Sequence, residues 1–240
     1  MYEALKAGDK YEKVSDAFKW VDGNEIKKPS VYTIEVISTA PKVLVIKDFL
    51  SDYEVERIIQ AASSILQKSE VGSDSYGGTE YDAKQRSSTS CWLPRCTSEI
   101  TESIYCRAAD ILNIPRSKMT ESSNAEAIQV VHYDTGQRFN CHYDFTIDNE
   151  PSSRFLTLLV YLNDQESGDC GGETAFPKAS SVSLGLTNDL QKGFKVHAGK
   201  GSAILFYNQL ADGNGDFLSL HSGMPVLKGE KWACNLWVSA

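Results

Sequence analysis

The sequence predicts an α+β domain in which helices come first and an all-β sandwich, barrel or jelly roll follows. Two observations carry this expectation. Apolar residues recur at helical spacing in two stretches before residue 113, and from residue 127 onward eight short runs of strand length are separated by turn residues. A chain of 240 residues is long enough to bury a single large core.

Residues 1–40 are mixed and weakly patterned, and are expected to form an N-terminal extension packing on a domain of residues 41–240. The run PKVLVIKDFL then reads as a buried strand. Ser51-Asp52-Tyr53-Glu54 is a capping box, in which the serine satisfies an orphan N–H at the helix start and the glutamate reaches back. The helix it opens carries Val55, Ile58, Ile59, Ala62 and Leu66 on one face. The stretch SEVGSDSYGGTEYDAKQRSS has no apolar period and reads as a long loop, a type of segment that is usually mobile or functional. A second helix is expected over residues 98–112, with Ile100, Ile104, Ala108 and Ile111 on one face. It ends near Asn113-Ile114-Pro115, because proline drives the preceding residue out of helical geometry.

The β half comprises AIQVVHY, FNCHYDF, RFLTLLVYLN, ETAFP, FKVHAG, SAILFYN, LHSGMPVL and KWACNLWVS. No solenoid-length repeat or low-complexity tract interrupts them, so the helices are expected to pack outside the barrel.

Composition narrows the function. Lys plus Arg number 24 against 32 Asp plus Glu, and the net charge of −8 argues against nucleic acid or anionic membrane as the main partner. No apolar window approaches the ~18 residues of a membrane span. The N-terminal MYEALKAGDKYEKVSD lacks the apolar core of a signal peptide, so either the protein works inside the cell or a targeting segment is missing from this sequence. The six cysteines form no C-x-x-C pair, which counts against structural zinc; free buried thiols and disulfides, including a local one among Cys91, Cys96 and Cys106, both stay open.

The triplet His-Tyr-Asp occurs twice, at residues 132–134 and 142–144. Side chains two apart on a strand share a face, so either copy could offer a histidine and a carboxylate to a metal. Asp134 precedes Thr135-Gly136 and reads as a turn residue, whereas His142 and Asp144 are expected inside their strand. A third ligand must come from His197 or His221. His221 is favoured, since it lies in a strand-like run and Lys231 follows ten positions later. Two histidines and one carboxylate with open positions form the facial arrangement of non-haem Fe(II) oxygenases, and a nearby lysine could hold an anionic cosubstrate. His132 and His197 are read as structural, and Cys141 and Cys234 as packing residues.

These residues carry a family resemblance. Tyr133-x-x-Gly136-Gln137-x-Phe139-x-x-His142-x-Asp144 is followed by Arg154-x-x-Thr157-x-x-x-Tyr161-Leu162 and by Gly171-Gly172-Glu173-Thr174-x-Phe176-Pro177. Then come Gly201-Ser202-Ala203-x-Leu205-Phe206 and His221-x-Gly223-x-Pro225-Val226-x-x-Gly229-x-Lys231-Trp232. Over residues 41–238 the chain closely resembles the catalytic domain of prolyl 4-hydroxylases, Fe(II)- and 2-oxoglutarate-dependent dioxygenases on a double-stranded β-helix.

The resemblance implies His142, Asp144 and His221 as iron ligands and Lys231 as the cation for the distal carboxylate of 2-oxoglutarate. It implies Tyr133 and Thr174 as hydroxyl donors to the same cosubstrate, with Trp237 beside the site. Glu126 and Arg154 match positions that contact substrate, Arg154 being the further side chain carried over as catalytic. Residues 71–83 become a candidate lid. Phe139, on the substrate side, departs from the pattern, because the family usually has a tyrosine there. The implied cofactors are Fe(II), 2-oxoglutarate, O₂ and ascorbate, and the implied partner is a proline-containing peptide or protein. The implied reaction couples proline hydroxylation to decarboxylation of 2-oxoglutarate to succinate and CO₂. The family leans toward the secretory pathway, with the cytoplasm as the alternative. Two other readings remain beside it: a hydroxylase of another residue or of a free small molecule, and a non-catalytic barrel that binds ligands.

Overall fold

The computed structural model describes residues 5–72, 79–80, 84–146, 153–164, 170–179 and 193–240. Its first strands are β1 (Lys10–Ser15), β2 (Lys19–Val21), β3 (Asn24–Ile26), β4 (Ser30–Thr39) and β5 (Lys42–Ile46). After helix α1 (Asp52–Ser63) come β6 (Gln67–Lys68), β7 (Val71–Gly72), β8 (Thr79–Glu80) and β9 (Thr89–Leu93), and then helix α2 (Glu99–Leu112). The β half consists of β10 (Ile128–Tyr133), β11 (Phe139–His142), β12 (Arg154–Tyr161), β13 (Thr174–Phe176), β14 (Phe194–Val196), β15 (Ala203–Tyr207), β16 (His221–Gly223) and β17 (Lys231–Ser239). Each of the eight runs read from the sequence contains one of these strands.

The first forty residues are more ordered than their texture implies. Tyr32, Ile34 and Val36 alternate with exposed or half-exposed neighbours along β4, a period-two signal diluted by the charged residues around it. β1 and β4 pair antiparallel, and β4 also pairs with β5, so this segment extends the main sheet.

Both helices start where the sequence places them. Ser51 caps α1 with a complete capping box, and Ser98 caps α2 with Thr101 in the reciprocal role. α1 stops at Ser63, so Leu66 falls outside it, half-buried, rather than on its apolar face. α2 ends on Asn113 at φ 55, a left-handed cap that asparagine tolerates. Glu54 does more than cap α1, since its carboxylate takes Arg107 of α2 at 2.7 and 3.0 Å, with both side chains fully buried. It also accepts the Trp20 N–H at 2.9 Å, which ties both helices to the β2–β3 hairpin.

Nine strands form one antiparallel sheet in the order β1-β4-β5-β15-β12-β17-β10-β9-β6, and four form another in the order β11-β16-β13-β14. Strand parity gives the large sheet two different faces. Val130, Leu158, Val160, Cys234 and Leu236 pack toward the helices with Ile58, Ile104 and Ala108. The alternate positions face the small sheet: Val43, Tyr161, Ile204 and Phe206 meet Phe176 and Val196 in a second core. All six cysteines are free thiols, which settles the alternative left open by their spacing.

Candidate active site

The pocket between the sheets is built from the inward parity of three adjoining strands. Register places Tyr133 beside Lys231, Val131 beside Ala233 and Gln129 beside Asn235. It continues with Asn235 beside Leu159 and Trp237 beside Thr157. The opposite wall is Phe139, His142, Thr174 and His221 on the small sheet. Of the residues singled out in the sequence, Tyr133, Phe139, His142, Asp144, Thr174, His221, Lys231 and Trp237 all line this one pocket.

His142 and His221 are paired in register on β11 and β16, their rings 4.3 Å apart. β11 ends at His142, and Asp144 sits in the bend beyond it rather than inside the strand. That bend still brings the carboxylate to the rings: Oδ1 lies 3.6 Å from Nε2 of His142, and Oδ2 lies 3.7 Å from Nε2 of His221. One donor atom from each of the three falls within 4.8 Å of the others, a spacing a single metal ion could bridge.

The histidine tautomers are set by the backbone. Nδ1 of His142 lies 2.8 Å from the Asn140 carbonyl, and Nδ1 of His221 lies 2.9 Å from that of Ser219. A carbonyl only accepts, so Nδ1 carries the proton and each Nε2 presents a lone pair to the cluster, as metal-ligating histidines do. Burial, and then His221, push the pKa of His142 down to about 3, which keeps the ring neutral. Burial raises the pKa of Asp144, but His221, His142, Arg154 and the Thr157 hydrogen bond outweigh it and hold the carboxyl below its usual range. Two imidazoles with Nδ1 turned to a backbone carbonyl, together with one carboxylate, are a donor set that fits Fe(II).

Lys231 is 3% exposed, and burial pushes its pKa down to about 8 against the pull of Glu173. Its ammonium lies 5.2 Å from the Tyr161 ring and 5.8 Å from the Tyr133 ring, with no hydrogen bond or ion pair among the described residues. A buried, unpaired cation facing a pocket fits an anionic cosubstrate. Thr174 Oγ1 is 2.8 Å from the Tyr161 hydroxyl, which donates to the Val196 carbonyl at 3.0 Å. Tyr161 has one proton to give, so Thr174 is the donor between them.

Glu126 and Arg154 do not line the pocket. They pair with each other through two bonds of 2.5 and 2.8 Å, and the guanidinium lies 3.6 Å over the Trp237 ring. Phe139 stacks on His142 with ring centroids 3.6 Å apart, and Arg86 covers Phe139 at 4.6 Å. His132 lies outside the pocket, against Trp232 and 2.7 Å from Glu230. His197 packs beside the Tyr161 ring. Most of the candidate lid, with Tyr76 and Tyr81, lies outside the described residues.

Sequence reasoning missed Arg86, Gln129 and Asn235. The signal for two of them was present: Gln129 and Asn235 are polar residues at the inward parity of otherwise apolar strands. Arg86 sits in a segment with no period, and only the fold buries it, with bonds to Ser88 and Gln129.

Known proteins resemble this chain in sequence and in fold. Residues 128–239 match the 2OG-Fe(II) oxygenase superfamily. Over 214 residues the chain is 36% identical to Prolyl 4-hydroxylase 5 of Arabidopsis thaliana, spanning 85% of this chain and 70% of that protein. The chain belongs to the prolyl 4-hydroxylase family. A viral collagen prolyl hydroxylase from Paramecium Bursaria Chlorella virus-1, solved as its 2OG complex, superposes with a TM-score of 0.61 at 29% identity. The match covers 82% of this chain and 96% of that one. The Trichoplax adhaerens prolyl hydroxylase, solved with a hypoxia inducible factor peptide fragment, is 18% identical and shares the fold, with a TM-score of 0.58 and 84% of each chain covered.

The fold is therefore the double-stranded β-helix of these hydroxylases, and the enzyme is a 2-oxoglutarate-dependent dioxygenase. Fe(II), 2-oxoglutarate and O₂ are its cofactors, and ascorbate is typical of the family. Among the described residues, no helix is long and apolar enough to cross a membrane.

Proposed function

We propose that this hydroxylase acts on proline within an extended peptide, with His142, Asp144 and His221 holding Fe(II) and Lys231 holding the distal carboxylate of 2-oxoglutarate. The carrying observation is the convergence of two Nε2 atoms and one carboxylate beside a buried ammonium with no ion pair among the described residues. Bound iron and 2-oxoglutarate supply oxidative decarboxylation coupled to C–H hydroxylation; the chain supplies orientation and dryness.

Lys231 fixes the far end of the cosubstrate as a point charge, with Tyr133 and Thr174 lining the same pocket. Turning the Thr174 rotor from Tyr161 toward the pocket frees its proton for the same carboxylate. Leu159, Val131 and Ala233 close the pocket behind these groups and keep bulk water from the charge pair. Arg154 and Glu126, paired with each other and only part-buried beside Trp237, are the side chains that would meet the peptide outside the pocket. Residues 1–40 would act as an extension of the dioxygenase domain through the β1–β4–β5 pairing.

The test is incubation with Fe(II), 2-oxoglutarate, ascorbate and a panel of proline-rich peptides, read by mass spectrometry. A gain of one oxygen on proline is expected; succinate formed with no peptide modified counts against the substrate. Phe139, which departs from the expected family pattern and lies flat on the His142 ring, favours one second reading: another residue or a small molecule as substrate. Turnover of 2-oxoglutarate stimulated by a free amino acid, and by no peptide, would select it.

A further inference from the structure

The carboxylate of Asp144 is held by more than the metal would require. Its Oδ2 accepts the Thr157 hydroxyl at 2.6 Å and the Trp237 indole N–H at 2.9 Å, both inside the protein. Behind Thr157 stands Asn208, fully buried, whose Nδ2 donates to Thr157 Oγ1 at 2.9 Å. That third bond fixes the direction of the chain. With the amide NH₂ filling a lone pair of the hydroxyl, the hydroxyl proton is left to point at Asp144. The opposite end of the amide, Oδ1 of Asn208, has no hydrogen-bond partner among the described residues. The ionised carboxylate only accepts, so Thr157 must give it the proton and take its own bond from the Asn208 NH₂.

We propose that Thr157 and Trp237 are positioning residues that saturate Oδ2 of Asp144 and so leave Oδ1 alone to bind the metal, with Asn208 orienting the Thr157 hydroxyl. Two charge-assisted bonds fix the carboxylate plane and lower the electron density available at Oδ2. A one-oxygen ligand keeps a coordination position open that a two-oxygen carboxylate would fill, and cosubstrate and O₂ need those positions. Register explains how the donors arrive together: Thr157 and Trp237 are direct neighbours on β12 and β17, both at inward parity. Trp237 thereby has two roles, since its ring face also carries the guanidinium of Arg154. The indole joins the Arg154–Glu126 pair at the pocket mouth to the iron ligand inside.

This inference rests on the metal assignment above, so the test separates the two. Fe(II) affinity of the full chain is measured anaerobically by titration calorimetry, alongside the visible spectrum of the Co(II)-loaded protein. Thr157→Val keeps the shape and removes the hydroxyl; Trp237→Phe keeps a ring for Arg154 and removes the N–H. Each is expected to weaken Fe(II) binding by about 10–100-fold, as loss of outer-shell partners does, and to shift the Co(II) spectrum. Thr157→Ser restores the hydroxyl and is expected to recover most of the affinity. Affinities within about threefold of wild type with an unchanged spectrum would overturn the proposal. So would a Thr157→Ser variant as weak as Thr157→Val, which would reduce Thr157 to packing. If Thr157→Val does not fold, Trp237→Phe decides between these outcomes. Wild type that binds no Fe(II) would instead overturn the metal assignment itself.

Discussion

The two His-Tyr-Asp triplets have the same residues and opposite fates. The first lies at the end of β10, between β17 and β9 in the nine-stranded sheet, with Tyr133 facing the pocket and His132 turned away against Trp232 and Glu230. The second leaves the end of β11 in the small sheet, with His142 and Asp144 facing the pocket and Tyr143 turned away toward Phe217 and Lys178. Parity is defined by the sheet a strand belongs to, and the pocket lies between two sheets. A triplet therefore presents its middle residue from one wall and its ends from the other.

The sharpest way to break this comparison is to remove each histidine in turn. His142→Ala is expected to abolish Fe(II) binding and succinate formation, whereas His132→Ala should leave both near wild type. Equal losses would mean that parity does not sort the copies.

A smaller but still large effect is expected from Lys231→Met. Losing one partner of a buried charge pair costs about 3 kcal/mol, on the order of a hundredfold in the KM for 2-oxoglutarate, with iron affinity unchanged. The same residue predicts a pH dependence. A bound dianion stabilises the ammonium, so affinity for 2-oxoglutarate should fall as pH rises above about 8. Without cosubstrate the sign reverses for stability. Between about 8 and the usual lysine value of 10.5 the unfolded chain holds the proton that the folded chain has lost. Folding stability from this group therefore rises with pH across that window and is missing from Lys231→Met in thermal melts.

Tyr133→Phe tests the middle residue of the first copy. Removing one hydroxyl bond to a charged group should raise the KM for 2-oxoglutarate about tenfold, less than the lysine does. The smallest effect belongs to the outward ends: Glu230→Gln should cost about 0.5–1.5 kcal/mol of stability or less and leave turnover unchanged, as for one partly exposed hydrogen bond.

How far the sequence reached follows from which interactions are local. Capping boxes and strand runs depend on neighbours in the chain, and both helix starts and all eight late strands lie where the pattern places them, although α1 ends before Leu66. The clustering of His142, Asp144 and His221 could be anticipated because the His-x-Asp spacing, His221 and Lys231 stand in family order, although the exit of Asp144 from its strand could not. Long-range contacts were hidden. Glu54 reads as a cap and gives no sign of its buried bond to Arg107, fifty-three residues away. Thr157 stands in a family motif and Asn208 closes a strand run, and neither shows from sequence that the sheets link them to Asp144. Glu126 and Arg154 were found as separate candidates, and only the fold shows that each is the other's partner.

The central claim is that the second triplet, and not the first, grips the metal. The most direct measurement is an anomalous difference map from crystals grown anaerobically with Fe(II). The account predicts one peak within bonding distance of Nε2 of His142, Oδ1 of Asp144 and Nε2 of His221. A peak at His132 with Asp134 or Glu230, and none at the triad, would contradict it.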